Sequence, residues 1–465
     1  MKITDFQDKE TLSQIVEYDS IPRMWEASVG RYKDCPAVKS DGKTLSYGEL
    51  GQLVDKFRAY LYAEAYRPGD SIRITSERSA AFIKAFLAAE TLGLTVTVLP
   101  EGSREDSLTP EQYGKDLGGA YCSICYPERE SPAAVMFTGG TTGTPKGAIL
   151  SHRCVMTAVR NACYGYPNVF GQKYFHILPM HHVFGLIRSM LTCLATGGEL
   201  LLCSDPRQMF SMMMQENPTI AVLVPLLVDR GVMLSASYGR SMFGNAMKTI
   251  ITGAAPVPAH LAEDCAALGI SLCPGYGLTE TACLVSGNPD MIHHPDSVGL
   301  LYPDQEVRFV DGELQIKGKN LMSSYTPGGE SGFTEDGWFA TGDVGYLDDD
   351  GFLCLLGRKK EMLLTAHGEN IYPAPVEAKF NALPEVAECE LFEAADGTLH
   401  LEVLPRDPKQ SLCAGSDRYA ALMKKLTEVN ESLPKLQQAS EIILRSEDFP
   451  RTASLKMIRK GTLNG

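Results

Sequence analysis

At 465 residues the chain is too long for one ordinary core, which points to a large body with at least one smaller domain. Hydrophobic residues at 44% and charged residues at 22% fit a soluble globular protein, and no apolar run reaches the ~18 residues that a membrane span needs. With 57 acidic against 43 basic residues the net charge is -14, which excludes a general nucleic-acid binder, because that role needs a basic footprint. One small anionic ligand held by a few local groups remains compatible with that charge. The opening Met1-Lys2-Ile3-Thr4-Asp5-Phe6 has no signal-peptide character, and the 13 cysteines, an odd number, read as free thiols in a reducing cytoplasm.

Along the chain, Ser46-Tyr47-Gly48-Glu49 has capping-box spacing, and Leu50, Leu53, Val54, Phe57 and Leu61 follow at helical intervals. Arg67-Pro68-Gly69-Asp70 ends that helix, and Ser71-Ile72-Arg73-Ile74 alternates as a strand. Ala80 to Leu94 reads as a second helix and Thr95 to Leu99 as a β-branched strand. This alternation predicts an α/β domain with a largely parallel sheet. Cys122 and Cys125 have metal-ligand spacing, but no second pair or histidine set accompanies them, so neither a metal nor a redox role is expected there.

Ala134-Val135-Met136-Phe137 reads as a strand, and it feeds the segment Thr138-Gly139-Gly140-Thr141-Thr142-Gly143-Thr144-Pro145-Lys146-Gly147. Glycines without side chains let backbone N–H groups converge on an anion, the threonines add hydroxyl donors, and Lys146 adds a positive charge. Such a loop suits a polyphosphate; a plain linker would need neither the lysine nor the strand. It is not a Walker loop, since Lys146 stands between Pro145 and Gly147. From about Arg358 the chain changes character: strands are expected at Leu363-Leu364, Glu388 to Phe392 and His400 to Leu404, and a helix from Tyr419 to Leu433. That pattern predicts a separate α+β unit, with the boundary near Lys360.

The glycine-threonine-lysine loop resembles the phosphate-binding signature of the adenylate-forming superfamily, which includes acyl- and aryl-CoA synthetases, luciferases and peptide-synthetase adenylation domains. Further segments resemble its other blocks in order: Leu178-Pro179-Met180-His181-His182-Val183-Phe184-Gly185, Gly253-Ala254-Ala255-Pro256, Gly275-Tyr276-Gly277-Leu278-Thr279-Glu280-Thr281, Thr341-Gly342-Asp343, Gly357-Arg358-Lys359-Lys360, and Pro450-Arg451-Thr452 with Lys456. The motifs closest to this chain's are those of fatty-acyl-CoA ligases. The resemblance implies a large α/β N-terminal domain of layered sheets with helices, residues 1–357, and a small mobile α+β C-terminal domain, residues 358–465.

It also implies roles. ATP phosphates would sit on Thr138, Gly139, Gly140, Thr141, Thr142, Gly143 and Lys146. Tyr276 would stack on adenine, with Gly277 beside it and Gly253, Ala254, Ala255 and Pro256 as the facing wall. Thr279 would bind the α-phosphate, and Glu280 would hold Mg²⁺, a hard cation that prefers oxygen ligands. Asp343 would accept the ribose hydroxyls with Arg358 steadying the sugar. Lys456 would bridge the substrate carboxylate and the α-phosphate as charge develops, although Leu455 stands where the family carries glycine. Lys360 would be the hinge on which the small domain turns, and Gly368 would guide the thiol arm.

The implied reaction is ATP-dependent activation of a small-molecule carboxylic acid to an acyl-AMP, followed by transfer to the thiol of CoA or of a phosphopantetheinyl acyl carrier protein. Peptide-synthetase relatives carry an aspartate in the second block for the substrate's amino group; Met180-His181-His182-Val183-Phe184 has none, so a fatty or other non-amino acid is expected. His182 is placed at the junction of acyl group and thiol. The segment from Pro100 to Thr138 is short by the family's standards. Two other readings stay open: an amino-acid or aryl-acid adenylating enzyme of an assembly line, and a catalytically weak nucleotide-binding partner protein, against which the intact Lys146, Glu280, Asp343 and Lys456 argue.

Overall fold

The computed structural model describes residues 1–103, 106–115, 117–138, 146–167, 169–326, 332–364, 370–408, 417–451 and 457–460. Among them the strands form five sheets. The largest runs in the order Leu300–Leu301, Ser286–Gly287, Ser271–Tyr276, Thr249–Thr252, Ile220–Leu223, Lys173–His176, Glu199–Leu202, Pro36–Ser40 and Lys43–Ser46. From Ser271–Tyr276 through Pro36–Ser40 every neighbouring pair is parallel, and only the edges are antiparallel. Buried on both faces, these strands are near-continuous apolar runs such as Ile220–Leu223.

A second sheet has the order Ser324–Thr326, Gly147–Ser151, Pro132–Phe137, Thr95–Leu99 and Ser71–Thr75. It shares one core with the first: Val38, Tyr174 and Val222 belong to the same buried cluster as Ile74, Val98 and Leu150. The predicted capping box is present: Ser46 accepts from the Glu49 backbone N–H, and the Glu49 carboxylate accepts from that of Ser46, opening the helix Tyr47–Ala63. The next helix ends at Leu92, earlier than its apolar pattern suggests, because Gly93 adopts φ +85° and its N–H turns back to Glu90 O. Leu94 then donates to Ala89 O instead of continuing the helix.

A third sheet, all antiparallel, joins Gln305–Val310, Glu313–Gly318, Phe339–Leu347 and Leu353–Arg358. Beyond it, Val386–Glu393, Leu399–Pro405 and Glu441–Leu444 form a sheet of their own, and a hairpin pairs Leu363–Leu364 with Asn370–Ile371. With the helices Pro373–Asn381 and Asp417–Ser432 they enclose a separate core built on Phe380, Leu391, Leu401, Val403 and Leu426. The late strand and helix positions expected from the sequence agree with this, within a few residues at the ends. The architecture is thus a large α/β body and a small α+β unit.

Candidate active site

In an open parallel sheet the carboxyl ends of the strands leave a crevice into which following loops project. That edge carries much of the site here. His182 follows the strand Lys173–His176, Gly253 to Pro256 follow Thr249–Thr252, and Tyr276 closes Ser271–Tyr276. In the second sheet, Thr138 follows Pro132–Phe137; its N–H donates to Lys146 O at 2.9 Å, tying the two ends of the loop together where Phe137 pairs with Gly147. Thr138, Lys146, His182, Gly253, Ala254, Ala255, Pro256, Tyr276, Gly277, Thr279, Glu280, Asp343, Arg358 and Lys360 all line one cavity of about 2440 Å³. Gly139, Gly140, Thr141, Thr142 and Gly143, with Gly368 and Lys456, lie outside the described residues.

Local backbone explains two of the small residues. A Cβ on Gly277 would stand 1.8 Å from Cys283 O, so the turn after Tyr276 exists only without a side chain there. Ala254 holds φ +66°, a left-handed conformation uncommon for alanine, where it lines the cavity.

The polar geometry centres on two carboxylates. Asp343 accepts from the Tyr276 hydroxyl at 2.5 Å through Oδ2 and pairs with Arg358 Nε at 2.8 Å through Oδ1. Its strand partner in register is Arg358 itself. Thr341 braces both: its hydroxyl accepts from the Asp343 N–H at 3.0 Å, and its carbonyl accepts from Arg358 Nη1 at 3.1 Å. Burial, reinforced by Asp343, pushes the Tyr276 phenol well above its usual range, so it stays a donor.

The second carboxylate, Glu280, accepts from the Tyr325 hydroxyl at 2.5 Å, and Lys146 Nζ stands 5.3 Å from the Tyr325 ring centroid. Tyr325 therefore joins the lysine at the loop's end to the acidic residue. Glu280 presents a hard oxygen donor on the cavity wall, the donor type a Mg²⁺ shared with phosphate and water would need.

The adjacent histidines differ. His181 contacts Ser76 at 3.3 Å, and burial, helped by His182 and Arg78, holds its imidazole down at about 4. His182 is the one that reaches the cavity, with its ring 4.3 Å from that of His181.

Tyr325 and Glu313 were not legible as site residues, and Thr341 was legible only as the first residue of the Thr341-Gly342-Asp343 block. Glu313 accepts from the Gly342 N–H and from Lys359 Nζ, linking the Asp343 turn to the start of the small unit. Tyr325 comes from a short strand whose pairing with Gly147–Ile149 no local pattern announces. Cys122 and Cys125 have local partners: Arg58 donates to the Cys122 carbonyl, and Cys125 Sγ fills the space where a Cβ on Gly93 would lie.

A parallel-sheet crevice with a loop hairpin, a tyrosine-aspartate-arginine cluster and a small domain beside it defines an adenylate-forming fold. The chain belongs to the AMP-binding enzyme family, which matches residues 25–114 and 109–326. It is 30% identical to a long-chain-fatty-acid–CoA ligase of Yersinia pestis over 73% of this chain and 62% of that one. It thus spans about six tenths of the length of that relative. A feruloyl-CoA synthase of Amycolatopsis is 28% identical over 77% of this chain and 82% of that protein. In structure, o-succinylbenzoate CoA synthetase from Bacillus subtilis, solved with ATP and magnesium, superposes with a TM-score of 0.80, covering 95% of this chain and 99% of that one at 23% identity.

Proposed function

We propose that the protein activates a carboxylic acid with ATP to an acyl-AMP, releasing pyrophosphate, and passes the acyl group to the thiol of CoA. The observation that carries this is the convergence of Lys146, Glu280, Thr279, Tyr276 and Asp343 from separate segments on one cavity. The CoA ligases and synthases among the chain's relatives support CoA as acceptor; the phosphopantetheine arm of an acyl carrier protein offers the same thiol.

In this reading Asp343 receives the ribose, with Arg358 and Tyr276 fixing its two oxygens, and Tyr276 carries adenine against the Gly253 to Pro256 wall. Lys146 and the Thr138 to Gly143 loop take the phosphates, and Thr279 orients the α-phosphate. Mg²⁺ would be held by Glu280 and would supply charge neutralisation between phosphate oxygens. His182, the member of the second block that lines the cavity, lies where acid and thiol would meet. We place the domain division at 357/358, with Lys360 as hinge, Lys456 as the cation delivered to the acid and α-phosphate, and Gly368 on the thiol path. The separate core of the last hundred residues supports that division.

The test is acid-dependent pyrophosphate release across fatty, aryl and amino acids, with and without CoA. Release that requires a non-amino acid, and a CoA thioester as product, is expected. ATP binding without release for any acid would overturn the reading in favour of a nucleotide-binding partner protein.

A further inference from the structure

The helix that starts just after His182 carries a charge that the reaction as described does not use. Val183 to Leu191 is an apolar run broken by Arg188 and Ser189. Its turns are widened over Phe184–Leu191, with Thr192 Oγ1 donating to Ile187 O at 2.8 Å; such π-helical turns often accompany functional sites. Gly185 allows the helix to start against the Pro179 carbonyl, where a Cβ would come within 2.3 Å.

Arg188 is 2% exposed, yet its Nη1 has no hydrogen-bond partner among the described residues. Among the described residues the groups beside it are neutral, and Tyr166 is a hydrogen-bond partner. The Tyr166 ring centroid lies 5.3 Å from its Cζ, and Tyr174 and Tyr302 are the other close polar side chains. Burial pushes all three phenols up, and it raises the thiols of Cys163 and Cys273 to about 12. The equally buried Arg58 shows what a structural arginine looks like in this chain: it pairs with Asp55 at 2.7 Å and donates twice to the Cys122 carbonyl. Arg188 has no such carboxylate among the described residues, and a buried guanidinium left without one is costly. It does have a cavity: Arg188, Tyr166, Gly287 and Tyr302 line the same space as His182 and Tyr276. Gly287 makes room for Tyr302, whose hydroxyl would sit 2.4 Å from a Cβ there.

We propose that Arg188, with the Tyr302 hydroxyl, binds a second carboxylate at the far end of the acid, so that the preferred substrates are dicarboxylic acids. The inference rests on the acid-activating reading above. A guanidinium accepts a carboxylate as a two-point, charge-assisted partner, whereas a methyl terminus leaves the same charge buried and unpaired. Arg188 is a specificity-determining residue in this scheme and takes no part in the chemical step.

The experiment compares matched pairs, succinate with butyrate, adipate with hexanoate and suberate with octanoate, by pyrophosphate release, and in parallel measures binding of the same acids by calorimetry with AMP present. The best diacid should exceed its monoacid partner about 10²-fold in kcat/KM, the scale of losing one charge-assisted pair. Arg188→Met should abolish that preference, and Arg188→Lys, which keeps the charge without the planar fork, should retain part of it. Circular dichroism melting shows whether each variant folds; if Arg188→Met does not, the lysine variant carries the comparison. Equal or better use of monoacids by the unmodified protein, or a preference unchanged in a folded variant, overturns the proposal. If no acid releases pyrophosphate the activation reading fails, and calorimetry then decides alone: diacid binding lost in the variant upholds Arg188, and absent diacid binding rejects it.

Discussion

Asp343 and Arg358 face each other in register across the last two strands of the antiparallel sheet, with Oδ1 and Nε 2.8 Å apart, and Arg358 is followed directly by Lys359 and Lys360. The carboxylate proposed to hold the ribose is therefore one ion pair away from the proposed hinge. If the small unit turns at Lys360 as proposed, it turns beside a strand end that the Asp343–Arg358 pair braces.

Asp343→Asn tests the nucleotide end of this relationship. The variant keeps one acceptor for the Tyr276 hydroxyl but loses the charge that Arg358 pairs with. Losing one charge-assisted bond of ~1.5–3 kcal/mol should weaken ATP about 10- to 100-fold in calorimetric Kd. An unchanged Kd in a folded variant would remove Asp343 from the nucleotide site.

Lys456 and Lys360 separate the two half-reactions. Lys456→Ala should slow adenylation by about 10²–10³-fold, since a preorganised cation is lost where charge develops. Thioester formation from supplied acyl-AMP should change far less. Lys360→Pro should do the opposite, because proline fixes φ near about -65° and hinders the swing. Equal losses in both steps for both variants would mean that the domain does not alternate.

The small unit is also clasped to the large one at a distance from the hinge. Arg406, just beyond the strand Leu399–Pro405, donates to Asp229 Oδ2 at 2.6 Å on the helix Pro225–Tyr238, and His260 Nε2 lies 3.7 Å from Oδ1. Burial raises the Asp229 carboxyl, but the His260 and Arg406 contacts outweigh it and leave it below its ordinary value. Arg406→Ala should release about 1 kcal/mol of docking energy, or roughly fivefold in the open population. Trypsin cutting at Arg358, Lys359 and Lys360 should accelerate accordingly; an unchanged cleavage rate would show that the clasp does not restrain the unit.

Glu90 makes a stability prediction. Both its oxygens are buried without a hydrogen-bond partner among the described residues, on the helix Ala80–Leu92, and burial holds its carboxyl well above 4.5. Its neighbour His152, 4.0 Å away, is held down to about 4, so the pair is neutral when folded. Above pH 4.5 the unfolded chain releases the Glu90 proton while the folded chain keeps it, so this group's share of stability falls as pH rises. His152 acts oppositely, from pH 6.5 downwards, and offsets it in between. Glu90→Gln should therefore gain stability over the parent from about pH 4.5 upwards, by about 1.4 kcal/mol per pH unit until the folded carboxyl itself ionises, since the His152 contribution is common to both proteins. Melting curves between pH 6 and 9 with parallel slopes would contradict it.

Much of this was legible in the sequence because it rests on short-range chemistry. The Ser46-to-Glu49 box, the β-branched strand Thr95–Leu99 and the strand that ends at Phe137 are each specified by neighbours within a few positions, where capping and periodicity act. The blocks around Tyr276, Asp343 and Arg358 were readable only through their shared order, which resembles that of the adenylate-forming enzymes. Tertiary structure alone decided that Tyr325 bridges Glu280 towards Lys146, that Thr341 braces Asp343 and Arg358 together, and that Gly277 must lie on the Cys283 carbonyl. It also decided that Arg188 is buried among phenols with no acid beside it among the described residues. Those facts depend on which distant segments pack together, and charge, burial and hydrogen-bond satisfaction are properties of that packing, which the order of residues along the chain does not display.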